Sequence, residues 1–340
     1  MDSVTQLVLG AAVGEAALGR KIGNRAILWG AAMGTLPDLD VFIPLGDVVS
    51  DFTYHRSASH SLFVLAVLTP ILAWLASRLH AGSQVHFKRW MLAIYLVFAT
   101  HVLLDSLTAY GTQIFWPISS IPVSLASIFI IDPAYTVPLV IGVIAALVMT
   151  RESDRGHRAN RVGLILSTTY LAWTLVAKVI VDHQFENALD RQNIAYQKIF
   201  TTPAPFNSLL WRGVVRDQEG YYEAYYSVFD GDSEIQFHHY PSRDDLLEPL
   251  AGNWPVERLR WFSRGFYGVT LREGDVVISD LRMGAEPHYV FQFKVAEYGN
   301  PHPKPVETVE QLEPVRELSL LKVIWARIWD PDIPLSYAAR

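Results

Sequence analysis

The sequence predicts an α-helical multi-span membrane domain followed by a β-rich soluble domain. Three observations carry this. The 340 residues are 51% hydrophobic, and the mean hydropathy is positive. The long apolar runs all lie in the first half. The second half carries short alternating segments instead. That imbalance predicts a helical membrane domain over 1–184 and a β-rich extramembrane domain over 185–340, not one shared core.

The apolar segments follow in order. Residues 4–18 are rich in Gly and Ala but contain Gln6 and Glu15. Residues 26–36 are also small and apolar; eleven helical residues rise about 16 Å, roughly half a hydrocarbon core, so whether they cross stays open. Gly and Ala in both segments suit close helix packing. Residues 61–76 and 90–107 are longer apolar runs, and 134–150 and 162–181 complete the set. The N-terminus does not read as a signal peptide, because Asp2 follows Met1 directly and no basic region precedes the apolar run.

Basic residues set the expected orientation. Arg20, Lys21 and Arg25 separate the first two segments. Arg78, Lys88 and Arg89 flank the next basic loop, and Arg151, Arg155, Arg158 and Arg161 precede the last segment. If every segment crosses, these three loops share the cytoplasmic side. Loops 38–60 and 106–133 then share the outer side, where Arg56 is their only basic residue. The domain after 184 falls on that outer side too.

In the second half, 221–229 followed by Asp230-Gly231 reads as a strand and turn, and 234–240 alternates in the same way. Residues 259–271, a turn at Glu273-Gly274 and residues 275–281 read as a hairpin. Residues 318–329 read as a final amphipathic helix, Trp-rich enough to meet a membrane interface. The adjacent His238-His239 pair reads as an exposed strand end, since neighbouring strand residues face opposite ways.

Chemistry-bearing residues concentrate before position 135. Asp38 and Asp40 follow Pro37, His55, Arg56 and His60 follow in the same loop, and His101 and Asp105 stand at i, i+4 near the end of an apolar helix. The last pair shares one helix face. Asp and His together are a usual ligand set for zinc or another divalent metal. Asp38, Asp40, His55, His60, His101 and Asp105 are therefore the candidate metal ligands, for one or two ions, zinc foremost. Ionisable groups at a membrane face are costly unless paired, hydrated or metal-bound. Arg56 and Asp132 are the candidate catalytic residues. Read from the residues alone, Arg56 forms a helix-end ion pair. Asp132 is a ligand, an N-cap for the helix after Pro133, or an orienter of ligands.

The ordered motifs Met1-Asp2-Ser-Val-Thr5-Gln6, Gly34-Thr-Leu-Pro37-Asp38-Leu-Asp40, His55-Arg56, Ser59-His60-Ser61, His101-Val-Leu-Leu-Asp105, Phe115-Trp116-Pro117 and Ile131-Asp132-Pro133 resemble the YdjM-like family. The resemblance covers residues 1 to about 180. It implies a bacterial inner-membrane protein and a metal-dependent hydrolase. Many members have Thr-His where this chain has Thr5-Gln6, and glutamine is a poor zinc ligand. A more distant likeness, through His101 and Asp105, is to zinc-dependent phospholipase C and related nucleases. It implies phosphoester hydrolysis, with a lipid or envelope phosphoester as substrate, and with Arg56 neutralising charge that develops on the phosphoryl group.

Three classes of function follow: a phosphoesterase at the outer leaflet, a metallohydrolase of an ester or amide bond, and a non-enzymatic envelope protein with a structural metal. The chain lacks a His-Glu-x-x-His motif, which argues against the commonest metalloprotease type. It has no cysteine, so thiolate sites and disulfides are excluded. A net charge of −6 argues against a nucleic-acid partner. Membrane lipid is the expected partner.

Overall fold

A computed structural model describes the chain except residues 84, 150–153, 232, 300, 315–318 and 336–340. The expectations that fall on Thr150, Arg151 and residue 318 lie outside the described residues. The architecture is a helical N-terminal region followed by antiparallel sheets.

The helical region begins with α1 (Ser3–Ile22) and α2 (Arg25–Thr35). Asp2 caps α1 by accepting from Val4 N and Thr5 N, and Gly23, at φ 59°, ends it. The two helices touch backbone to backbone. A Cβ on Gly10 would lie 2.3 Å from Gly30 O, and one on Gly14 2.6 Å from Ala26 O. Only glycine permits that approach. Short α3 (Val48–Tyr54) precedes α4 (Leu62–Leu79), which Ser61 caps. Then come α5 (Phe87–Ser106), α6 (Pro133–Met149) and the 37-residue α7 (Arg155–Arg191).

Among the described residues, α4, α5 and α7 are long and apolar enough to cross a membrane, and α6 is a shorter apolar helix. Val67 and Ile71 on α4, Ile141 and Val148 on α6, and Ile165 and Val179 on α7 are exposed. Apolar residues turned outward along such apolar stretches suit lipid better than water. Glu15, the only carboxylate within α1, is buried; it pairs with His157 and accepts from Asn160 Nδ2 at 2.5 Å. Asn160 Nδ2 also donates to Ala12 O, so the polar group of one helix is satisfied by another.

The structure divides into two compact units. The first holds Met1–Ile43 and His55–Leu175; the second holds Pro44–Tyr54 and Val176–Arg340. Helix α7 runs through the division, and the segment carrying α3 belongs with the C-terminal unit. There Phe52 is buried among Phe262, Phe291 and Phe293, at ring-centroid distances of 4.8, 4.5 and 5.2 Å.

The second unit has a four-stranded antiparallel sheet in the order β1 (Lys198–Pro203), β2 (Leu210–Arg216), β3 (Gly220–Ser227), β4 (His238–Pro241). In chain order, α8 (Trp254–Phe262) comes between the two sheets. The second sheet contains β5 (Tyr267–Arg272), β6 (Asp275–Asp280), β9 (Gln292–Glu297) and β10 (Lys304–Gln311) in the order β10-β9-β6-β5. Two-residue strands β7 (Gly284–Ala285) and β8 (His288–Tyr289) pair separately. Helix α9 (Leu320–Arg327) follows. Phe185 of α7 packs against β2, where a Cβ on Gly213 would meet its ring at 2.1 Å.

Two expectations are corrected here. The strand expected over 259–271 begins only at Tyr267, because Leu259–Phe262 closes α8. Asn253 caps that helix, Pro255 sits in its first turn, and Arg264 and Gly265 reverse the chain at positive φ. Of 234–240, only the end from His238 pairs as a strand.

Candidate metal centre

The centre is assembled from three places in the first unit. Pro37 starts a 3-10 turn, Pro37–Phe42, that carries Asp38 and Asp40 off the end of α2. A second turn, Ala58–His60, brings in His60 just before Ser61 caps α4. Helix α5 presents His101 and Asp105 one turn apart on the same face.

Four side chains meet: Asp38, His60, His101 and Asp105 each offer a donor atom, and these all lie within 4.8 Å of one another. His60 Nε2 is 3.2 Å from Asp38 Oδ1, from Asp105 Oδ2 and from His101 Nε2. His101 Nε2 is 3.6 Å from Asp38 Oδ1 and 3.5 Å from Asp105 Oδ2. Donors about 2.0–2.1 Å from a tetrahedral zinc ion stand about 3.3–3.4 Å apart. The five separations above lie close to that edge length. His60, His101 and Asp105 are buried, and Asp38 is half-buried.

The supporting contacts fit a bound cation. His101 Nδ1 lies 2.8 Å from Gly34 O, which only accepts, so Nδ1 carries the proton and Nε2 presents its lone pair to the cluster. Asp105 Oδ1 accepts from Gln6 Nε2 at 2.9 Å and pairs with the Met1 amino group. Asp105 Oδ2 is buried and has no hydrogen-bond partner among the described residues. Arg56 Nε, 3.4 Å away, forms an ion pair with it but no hydrogen bond. A buried carboxylate oxygen that faces two imidazoles and accepts no hydrogen bond has the chemistry of a metal ligand. Burial opposes ionisation of Asp38, but the His101 and His60 imidazoles beside it hold its carboxyl well below the usual carboxylate range.

Asp40 and His55 form their own pair beside the four and are not members of the cluster. His55 Nδ1 lies 2.8 Å from Asp40 Oδ1. Asp40 Oδ2 accepts from Ser59 Oγ at 2.5 Å and from Arg56 N at 3.1 Å, so this carboxylate organises the loop that carries His60. Burial works against its charge, but His55 and Ser59 hold its carboxyl below the ordinary value. Arg56 is buried against the Asp105 end of the cluster, its guanidinium 5.1 Å from the Tyr110 ring centroid and 3.4 Å from Thr108 Oγ1. Its φ of 63° is unusual for a non-glycine residue.

Asp132 lies apart from the cluster. Its carboxylate accepts from Ala134 N at 3.0 Å, at the start of α6, and from Tyr170 OH at 2.7 Å. Gln6, Ser59 and the Gly34 carbonyl are the positions that sequence reasoning did not assign. A glutamine inside an apolar helix was a visible signal; the other two required the fold.

The family model of the YdjM inner membrane proteins matches residues 1–181, which contain every residue of this centre. The chain belongs to the YdjM family. The cluster therefore lies within the family's own domain, and the sheet-bearing region lies beyond it. No curated protein and no solved structure matches the chain.

Proposed function

We propose that this YdjM-family protein is a membrane-bound metal-dependent hydrolase, acting on a lipid or envelope phosphoester at the outer face of the inner membrane. The observation that carries the reading is the set of four converging donors at zinc-like spacing, with one buried carboxylate oxygen left unsatisfied. Asp38, His60, His101 and Asp105 would hold a divalent ion, zinc foremost given two imidazoles and two carboxylates. Such an ion supplies Lewis acidity and lowers the pKa of a bound water.

The chain's own residues support a hydrolytic role around that ion. Asp38, Asp40 and His55 keep partial exposure, so the centre has a side that water and substrate can reach. Arg56 places a fixed positive charge beside Asp105, suited to an anionic phosphoryl group. The Asp40 carboxylate binds the Nδ1 proton of His55, which leaves His55 Nε2 to take or give a proton. The outer-face location rests on the distribution of basic loops.

The test is purified full-length protein in detergent, stripped and reloaded with Zn2+, Mn2+ or Mg2+, and offered phospholipids and simple phosphodiesters. The reading expects metal-dependent release of a phosphorylated product, abolished by His101→Ala. Protein that holds its ion and hydrolyses none of these would favour a structural metal.

A further inference from the structure

We infer that Gln6 is a positioning residue for the metal centre, locking Asp105 so that Oδ2 alone turns toward the other ligands. This rests on the metal reading above and deepens it. Gln6 stands on α1 and is 1% exposed. Its Nε2 donates to Asp105 Oδ1 at 2.9 Å and to His101 O at 3.2 Å. Both partners only accept, so the amide cannot be reversed: an oxygen in that place would face two acceptors with no proton between them.

The contact ties two ligands through one side chain. One end of the amide holds the Asp105 carboxylate, and the same nitrogen holds the backbone of His101, one turn earlier on α5. Asp105 Oδ1 accepts a hydrogen bond, while Oδ2, 3.2 Å from His60 Nε2 and ion-paired with Arg56 Nε, accepts none. A carboxylate restrained at one oxygen coordinates through the other and is hindered from swinging into two-oxygen coordination. The Gln6 Oε1 is itself buried without a hydrogen-bond partner among the described residues. Glutamine thus contributes to the centre without being one of its four donors.

The experiment uses Co2+ as probe on the full chain in detergent, comparing wild type, Gln6→Ala and the nearly isosteric Gln6→Met. Affinity is read by chelator competition and coordination by the visible d–d absorption, with circular dichroism as the folding control. Loss of an orienting partner typically weakens metal binding 10–100-fold. Both variants should show a loss of about that size together with a changed d–d envelope, while helicity is kept. A purely packing role would leave the spectrum unchanged in Gln6→Met. Wild-type affinity and an unchanged spectrum in a folded variant would overturn the assignment of Gln6 alone. Failure of the wild-type protein to take up Co2+ would overturn the centre, and this inference with it.

Discussion

Gly30→Ala places one methyl group where there is no room for it. The new Cβ would lie 2.1 Å from Gly10 O, 2.9 Å from Gly10 C and 3.0 Å from Gly14 Cα. All three atoms belong to the α1 backbone, so no side-chain rotation relieves the clash and the helices must separate by roughly 1 Å. Overpacking of this kind costs about 3 kcal/mol at the upper end of its usual range. Alanine returns about 1 kcal/mol through its better helix propensity. The net loss is about 2 kcal/mol, near thirtyfold in the folded-to-unfolded ratio. For a unit of this size that lowers the unfolding midpoint by about 4–8 °C. The change also reaches the site, because Gly34, one turn further along α2, accepts from His101 Nδ1 at 2.8 Å. Metal affinity should therefore fall alongside stability. The assay is thermal unfolding by circular dichroism in detergent, with metal content read on the same samples. Gly82→Ala is the control, since nothing lies within 4 Å of its Cβ position, and it should stay within about 0.5 kcal/mol of wild type. A Gly30→Ala protein with wild-type midpoint and metal content would refute the reasoning about the helix contact.

Three further outcomes are expected. Cytoplasm-dependent reporters fused at Arg340 should be inactive, and those inserted at loop 20–25 active; the opposite pattern would remove the outer-face placement of the site. His80 accepts from Trp29 Nε1 at 2.8 Å and stacks on Trp90. Burial and the nearby Arg25 lower its pKa, so the folded state favours the neutral ring. Its contribution to stability should be full above the unfolded histidine value of about 6.5 and be lost as pH falls through the lower folded value. An NMR titration of His80 reading above 6.5 would contradict this. Phe52→Ala should cost the C-terminal unit about 3–5 kcal/mol and speed proteolysis of 44–54; an unchanged cleavage rate would show that Phe52 does not hold the segment.

Much of the centre was legible because its chemistry follows helical geometry. His101 and Asp105 at i, i+4 had to share a face of α5, and Pro37 had to break the chain before Asp38. The sequence could not separate Asp38 from Asp40, or His60 from His55. All four lie in one loop, and which of them meet depends on two 3-10 turns set by Ser59, Arg56 and Asp40. Asp132 read equally well as ligand or cap, and only its distance from the cluster and its bond to Ala134 N distinguish the two. The membrane segments were visible as apolar runs. The attachment of 44–54 to the C-terminal unit was not, because it depends on three phenylalanines more than 200 residues away in the chain. The error at 259–262 was avoidable: Asn253 and Pro255 are helix-start signals, but the aromatic residues that follow resemble a strand.

The central claim is that Asp38, His60, His101 and Asp105 form one metal site. Its most direct test is elemental analysis of full-length protein, stripped with chelator, reloaded with zinc and freed of excess metal. The account predicts about one ion per chain. It predicts loss of that ion in His60→Ala and His101→Ala with helicity retained, and its retention in Asp132→Ala. No ion in the reloaded wild-type protein, or the same stoichiometry after both histidines are removed, would contradict it.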